Sequence, residues 1–359
     1  MNKFVFKEQN ETDKYTKSFK YTQKEEYKHF FNEYGFVVID NILTKDQCSD
    51  SIDDMWNYIE KFTKTVDRND ILTWKNKNWL GGQNEGLLGS KPVFSSVALL
   101  NRQNNQLYEI AKELMEESNI LINQDRYGMF RATKNISVIN DNDEEVLMDF
   151  PYYKTVNNLQ LDFNPWKFIE KEFTSECKNI LKEFTYENTL NFIEDFCYVG
   201  SIYNDIQKQS LDEFTTDDLL KVSKRNLLGI FNLADNLEND GCLQLIPGFH
   251  KNFIMWTLKE KDLKMQFSNR NINIWFPSEH NLYEKAEVIT AREGSVILWS
   301  NLIPAGSKPN ESQNNRYFQV FKISSSPIEE NRLLKRKESL EKNLSDNLKN
   351  VSNKSFFGL

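Results

Sequence analysis

Cysteine is sparse, with Cys48, Cys177, Cys197 and Cys242 the four in 359 residues. No two share a CxxC spacing, which argues against a cysteine-built zinc site or a disulfide frame. Buried thiols in a reducing compartment, cytoplasmic or otherwise intracellular, are expected instead. Long apolar runs are missing as well: nothing approaches the ~20 residues of a membrane span. Met1-Asn2-Lys3-Phe4-Val5-Phe6-Lys7 lacks the apolar core of a signal peptide. Nor is there an excess of positive charge. Lys and Arg number 45 against 53 Asp and Glu, a net charge of −8. A binder of phosphate backbones wants a basic face, so no nucleic-acid partner is expected.

What is present is apolar and aromatic residue in quantity, 39% and 13% of the chain, enough for a sizeable core. The length suits one large β-rich domain with helical elaborations. At its centre Asn157-Asn158-Leu159-Gln160-Leu161-Asp162-Phe163-Asn164-Pro165-Trp166 reads as a strand running into a turn. Leu159, Leu161 and Phe163 alternate with Gln160, Asp162 and Asn164, the period of a half-buried strand. Asn164-Pro165 breaks it. Residues two apart on a strand share a face, so Gln160 and Asp162 can be presented to one ion or ligand.

The flanking sequence predicts a polar arm over residues 1–20 lying on the domain surface. A helix over Lys24–Tyr34 follows, stopped by Gly35, then a short apolar strand over Phe36–Asp40. Thr44 caps a second helix running to about Phe62, with Ile52, Met55, Trp56 and Ile59 on its core face. Residues 64–98, with Trp74 and Trp79, read as a long ordered loop, 107–118 as a helix, and 120–130 as one strand. Residues 167–222 are mixed and partly helical, without a catalytic pattern. Strands are expected over 227–233, 242–246, 295–299 and 316–323, with a tight turn at Glu238–Gly241. An α-rich first third followed by short strands indicates a β-barrel or sandwich flanked by helices. Residues 327–350 read as a helix in which Leu333, Leu334, Leu340, Leu344, Leu348 and Val351 recur at three, four and seven. That stripe covers the barrel or, in part, docks a protein partner.

Three segments carry a family resemblance. Gly35-Phe36-Val37-Val38-Ile39-Asp40-Asn41-Ile42-Leu43-Thr44, Asn239-Asp240-Gly241-Cys242-Leu243-Gln244-Leu245-Ile246-Pro247-Gly248-Phe249-His250-Lys251, and Leu302-Ile303-Pro304-Ala305-Gly306-Ser307-Lys308-Pro309-Asn310 followed by Arg316 resemble, in that order, the phytanoyl-CoA dioxygenase family. The resemblance implies a double-stranded β-helix, or jelly roll, with flanking helices especially in the N-terminal third and a C-terminal helix. It divides the chain into an arm (1–26), the jelly-roll domain (27–326) and a helical tail (327–359). It also implies Fe(II) held by His-x-Asp and a distal His, with 2-oxoglutarate as co-substrate and an Arg pairing with its far carboxylate.

By this match Gln160 and Asp162 stand at the His-x-Asp positions, Ala305 at the distal His, and Arg316 at the carboxylate-binding Arg. Histidine is scarce in this chain: His29, His250 and His280 are followed two residues later by Phe31, Asn252 and Leu282, so none restores the motif. His250 is expected to be a hydrogen-bonded turn residue. A facial triad needs two imidazoles and a carboxylate. The expectation is therefore a catalytically degenerate member without catalytic residues or cofactor, a pseudo-oxygenase serving as a structural or binding subunit of an assembly through its C-terminal helix or N-terminal arm. An active Fe(II)/2-oxoglutarate dioxygenase with an atypical metal site is the alternative, and a metal-free binder of 2-oxoglutarate or another small molecule the second. Arg316 is expected to be buried at the barrel's open end and either salt-bridged, to a carboxylate such as Asp162, or ligand-bound.

Overall fold

The computed structural model describes residues 14–81, 86–140, 142–162, 164–166, 220–221, 223–267, 273–325, 330–343 and 354–358. Its strands, in chain order, are β1 (Phe36–Ile39), β2 (Ile120–Ile122), β3 (Tyr127–Phe130), β4 (Ile136–Ile139), β5 (Glu145–Met148), β6 (Gln160–Leu161), β7 (Asn226–Asn232), β8 (Leu243–Leu245), β9 (Ile274–Trp275), β10 (Glu287–Ile289), β11 (Val296–Ser300), β12 (Ala305–Ser307) and β13 (Arg316–Ser325). The larger sheet has the order β1-β11-β7-β13-β2, with β3 also on β13. The smaller has the order β10-β8-β12-β6-β9, and β4-β5 form a separate hairpin. These are the sheets of the expected jelly-roll core. The continuous apolar run of β7 is buried throughout, as a central strand between β11 and β13.

Strand β13 sets the site. Arg316, Phe318, Val320 and Lys322 line a pocket, while between them Gln319 faces the helical side, where it accepts from Asn101 and donates to the Ala98 carbonyl. The strand expected over 120–130 is two strands on one partner: β2 and β3 both pair with β13. The break falls where the Asp125 carbonyl leaves the ladder to accept from Arg102 Nη2 at 2.5 Å and Val93 N at 3.0 Å.

The helices are α1 (Lys24–Tyr34), α2 (Lys45–Thr63), α3 (Ser96–Arg102), α4 (Asn105–Met115), α5 (Phe253–Lys259), α6 (Lys261–Phe267), α7 (Glu330–Asn343) and α8 (Lys354–Phe357). Gly35 ends α1 at φ 72°, a conformation that glycine adopts without steric cost. Thr44 and Gln47 form a reciprocal capping box on α2. Trp74 and Trp79 fold back on Trp56 of α2, with ring centroids 4.8 and 6.2 Å away. The buried Arg131 guanidinium lies over Trp79 and Tyr153. The loop after α2 is therefore ordered by aromatic packing, and its end forms α3.

The described part of the N-terminal arm is not merely laid on the surface. Phe19 bridges to Ile39 beside β1, and Thr16 is buried against Thr290. At the other end of the chain Leu340, Phe356 and Phe357 are fully buried. Arg336 ties the tail down by donating to the Ile122 and Phe357 carbonyls. Leu334 is 53% exposed. Leu344, Leu348, Val351 and, of the segment 167–222 expected to be mixed, residues 167–219 and 222 lie outside the described residues.

Candidate functional site

Residues from both sheets line a cavity of about 360 Å³, within the range of small-molecule sites. Gln160, Asp162 and Ala305 meet there. Ala305 is the direct cross-strand partner of Gln160, and Asp162 lies just past the end of β6. Gln160 Nε2 donates to Asp162 Oδ1 at 3.0 Å. The other carboxylate oxygen, Oδ2, is 3.3 Å from Lys322 Nζ. Gln160 Oε1 is buried with no hydrogen-bond partner.

Arg316 sits at the other end of the site, on the same face of β13 as Lys322. It is 2% exposed, as expected, but its partner is not Asp162. No carboxylate among the described residues forms an ion pair with it. Its Nη1 donates to the Gly241 carbonyl at 2.5 Å and Ser307 Oγ at 3.4 Å. Phe130 and Phe318 lie within cation–π distance, and Nε is buried without a partner. The expected pairing fails because Lys322 already neutralises Asp162. Burial lowers the Arg316 pKa to about 10, so the guanidinium remains charged at neutral pH. Nearby Cys242 supplies no counter-charge, since burial pushes its thiol up to about 12. Arg126 also lines the cavity, paired with Asp125 at 3.3 Å. Among the described lining residues three cations thus face two carboxylates, inside a protein of charge −8. That arrangement attracts an anion.

Sequence reasoning missed Lys322. The strand's alternation held the clue, because residue 322 falls on the same face as 316, 318 and 320. None of the three histidines lines the cavity. His280 accepts from Leu282 N at the start of a short 3-10 turn. His250 is fully buried, with Nε2 3.1 Å from the Asn32 carbonyl, the structural turn residue expected. Burial lowers its pKa from 6.5 to about 4. The fold therefore holds it neutral, while the unfolded chain binds a proton below pH 6.5. The associated stability is present above pH 6.5 and is lost as pH falls toward 4, about 3 kcal/mol in all. Urea titrations across that window should show the slope in wild type and a shallower one in His250→Gln.

The chain is 30% identical over 297 residues to a Dictyostelium discoideum protein described as "Putative phytanoyl-CoA dioxygenase", covering 82% of this chain and 73% of that one. The chain belongs to the phytanoyl-CoA dioxygenase family. The family's sequence profile, phytanoyl-CoA dioxygenase (PhyH), matches residues 218–318, which contain β7 to β12 and the first three residues of β13, Arg316 among them. Among solved structures, GlcNAc Inducible Gene 2 (GIG2) from Candida albicans superposes with a TM-score of 0.51 at 12% identity, over 93% of this chain and 71% of that one. The fold is thus shared. The epimerase SnoN, in complex with Fe3+, alpha ketoglutarate and nogalamycin RO, aligns at 10% identity and a TM-score of 0.45, over 85% of this chain and 84% of that one.

Membership corrects the expectation that no cofactor is used: the family is one of iron- and 2-oxoglutarate-dependent enzymes. The two groups fare differently against the side chains of this chain. A 2-oxoglutarate-type carboxylate fits Arg316, a buried guanidinium that lines the cavity and forms an ion pair with no carboxylate among the described residues. A facial-triad iron does not fit the donor set. Gln160 and Asp162 offer oxygens, Ala305 offers no ligand atom, and the Lys322 ammonium lies against the carboxylate. No three His, Cys, Asp or Glu among the described residues converge in a way that could hold a metal.

Proposed function

We propose that this family member has lost triad-dependent oxygenation and acts as a binding subunit, its cavity taking a small carboxylate ligand through Arg316. The observation that carries this reading is the pairing at the positions matched to the family's iron ligands. Glutamine and alanine stand there in place of imidazole, and Asp162 is neutralised by Lys322. The unpaired guanidinium supports retention of the ligand half of the site.

The test is a thermal-shift and calorimetry panel of short mono- and dicarboxylates, 2-oxoglutarate among them, on wild type and Arg316→Met. At a hundredfold excess over Kd a ligand adds about 2.7 kcal/mol of stability, and Arg316→Met should abolish that shift. The unliganded variant should lie within about 1 kcal/mol of wild type, not the 3–5 kcal/mol lost when a buried pair is broken, because Arg316 makes no such pair among the described residues. Succinate formation from 2-oxoglutarate above a no-enzyme control would overturn the loss of oxygenation. A second reading, an oxygenase with an oxygen-donor metal site, has one observation in its favour: the buried, unpartnered Gln160 Oε1 beside Asp162.

A further inference from the structure

The β4–β5 hairpin belongs to neither sheet of the core. Among the described residues its two strands pair only with each other, so each keeps an edge open to a further strand. The two faces of the hairpin differ. Val138, on the inner face, is buried. Ser137, Ile139, Glu145 and Leu147 share the outer face by register, and all four are exposed. Ile139 and Leu147 are 59% and 69% exposed, and as diagonal neighbours across the pair they form one apolar patch. Met148, Tyr152 and Val156 are exposed as well. Five of the eleven large apolar residues exposed among the described ones thus lie within 139–156. Single exposed apolar residues are ordinary, whereas a concentration of them marks a contact surface.

We propose that this hairpin docks an extended segment of another protein, an aliphatic strand flanked by lysine or arginine that adds to its edge. Charge selects the partner. Residues 135–149 hold five carboxylates, Asp141, Asp143, Glu144, Glu145 and Asp149, and no Lys or Arg. The four described ones are exposed, and their hydrogen bonds are to uncharged groups. Glu145 accepts from Ser137 Oγ, Glu144 from Asn140 Nδ2, and Asp149 from the Asn135 N–H. None forms an ion pair among the described residues. Asp143, Glu144 and Glu145 stand at the turn and Asp149 at the other end of β5, so they bracket the apolar patch. Flanking ammonium or guanidinium groups supply the missing counter-charge at both ends. A second copy of this chain is disfavoured, because pairing two such hairpins brings their carboxylates together. In strand addition the main-chain bonds give affinity, and the alternate side chains, here beside Ile139 and Leu147, give specificity.

The probe is the synthetic peptide Lys-Lys-Val-Thr-Val-Thr-Val-Lys-Lys, titrated into the full chain by fluorescence anisotropy. It should bind roughly tenfold or more tightly than versions carrying Glu for Lys or Ser for Val. Ile139→Ser with Leu147→Ser should weaken it about tenfold. Glu144→Gln with Glu145→Gln should weaken it and flatten its salt dependence. All four side chains are exposed, so the fold tolerates both pairs of changes. Hydrogen exchange gives a second measurement, in which bound peptide should slow the amides of residues 136–148. Absence of binding, affinity unchanged in both paired variants, or protection confined to other segments would overturn the proposal. A dimer of the chain in sedimentation, abolished by Leu147→Ser, would also overturn it by making the occupant a second copy. These outcomes are independent of any carboxylate at Arg316, since no hairpin residue lines the cavity.

Discussion

The triple variant Gln160→His, Ala305→His, Lys322→Met should bind a divalent transition metal at least a hundredfold more tightly than wild type, a gain of about 2.8 kcal/mol. Residues 160 and 305 are direct partners across an antiparallel pair, and such partners carry Cβ atoms about 5 Å apart. Two imidazoles there can reach one ion. Asp162 supplies the carboxylate, completing a donor set of two imidazoles and one carboxylate. The third change matters because Lys322 lies 3.3 Å from the carboxylate that must ligate. A double variant that keeps Lys322 pits an ammonium against the metal for Asp162, and should gain distinctly less. Titration with Ni(II) or Co(II), followed by calorimetry and by the absorption of the bound ion, measures the difference. Equal affinity of the double and triple variants would mean that Lys322 does not compete for Asp162. Failure of a well-folded triple variant to gain affinity would mean that 160, 162 and 305 do not converge.

Part of this site was legible in the sequence. The family resemblance matched Gln160, Asp162, Ala305 and Arg316 to positions of one site, and the structure brings all four to one cavity. Gly35, and Thr44 with Gln47, marked helix ends within a residue, because capping chemistry is local. Partnership was not legible. Arg316 and Lys322 are both cations on one strand face, and nothing in their spacing says which of them reaches Asp162. Strand β6 decides that, from more than 150 residues earlier in the chain. The split between β2 and β3 was hidden for the same reason. Arg102, on a helix more than twenty residues upstream, takes the Asp125 carbonyl and ends the ladder. Arg102 is itself fully buried, and the need to hydrogen-bond its guanidinium outweighs the strand propensity of the residues around it.

Gly306→Ala should cost the fold about 4 kcal/mol, placing it among the larger single-residue losses. A Cβ at this position would sit 2.0 Å from the Asn158 carbonyl oxygen. That obstacle is backbone, so no side-chain rotation relieves it. The strand β12 would have to move away from the 157–160 segment, breaking the bonds that hold them together. Asn158 N donates to the Ser307 carbonyl, and Ser307 N donates to Asn158 Oδ1, each at 3.1 Å. The same displacement carries Ala305 away from Gln160 and Ser307 Oγ away from Arg316, so the ligand half of the site loses its geometry along with the fold. Ser307→Ala keeps the backbone pairing and should cost under about 1 kcal/mol, the value of one weak hydrogen bond. Urea unfolding of the two variants side by side separates the effects. If Gly306→Ala melts like Ser307→Ala, the close approach of β12 to Asn158 is not what shapes the cavity floor. If it loses several kcal/mol and ligand-induced stabilisation disappears with it, the glycine is what lets two strands meet closely enough to set residues 160, 305 and 307 around one small anion.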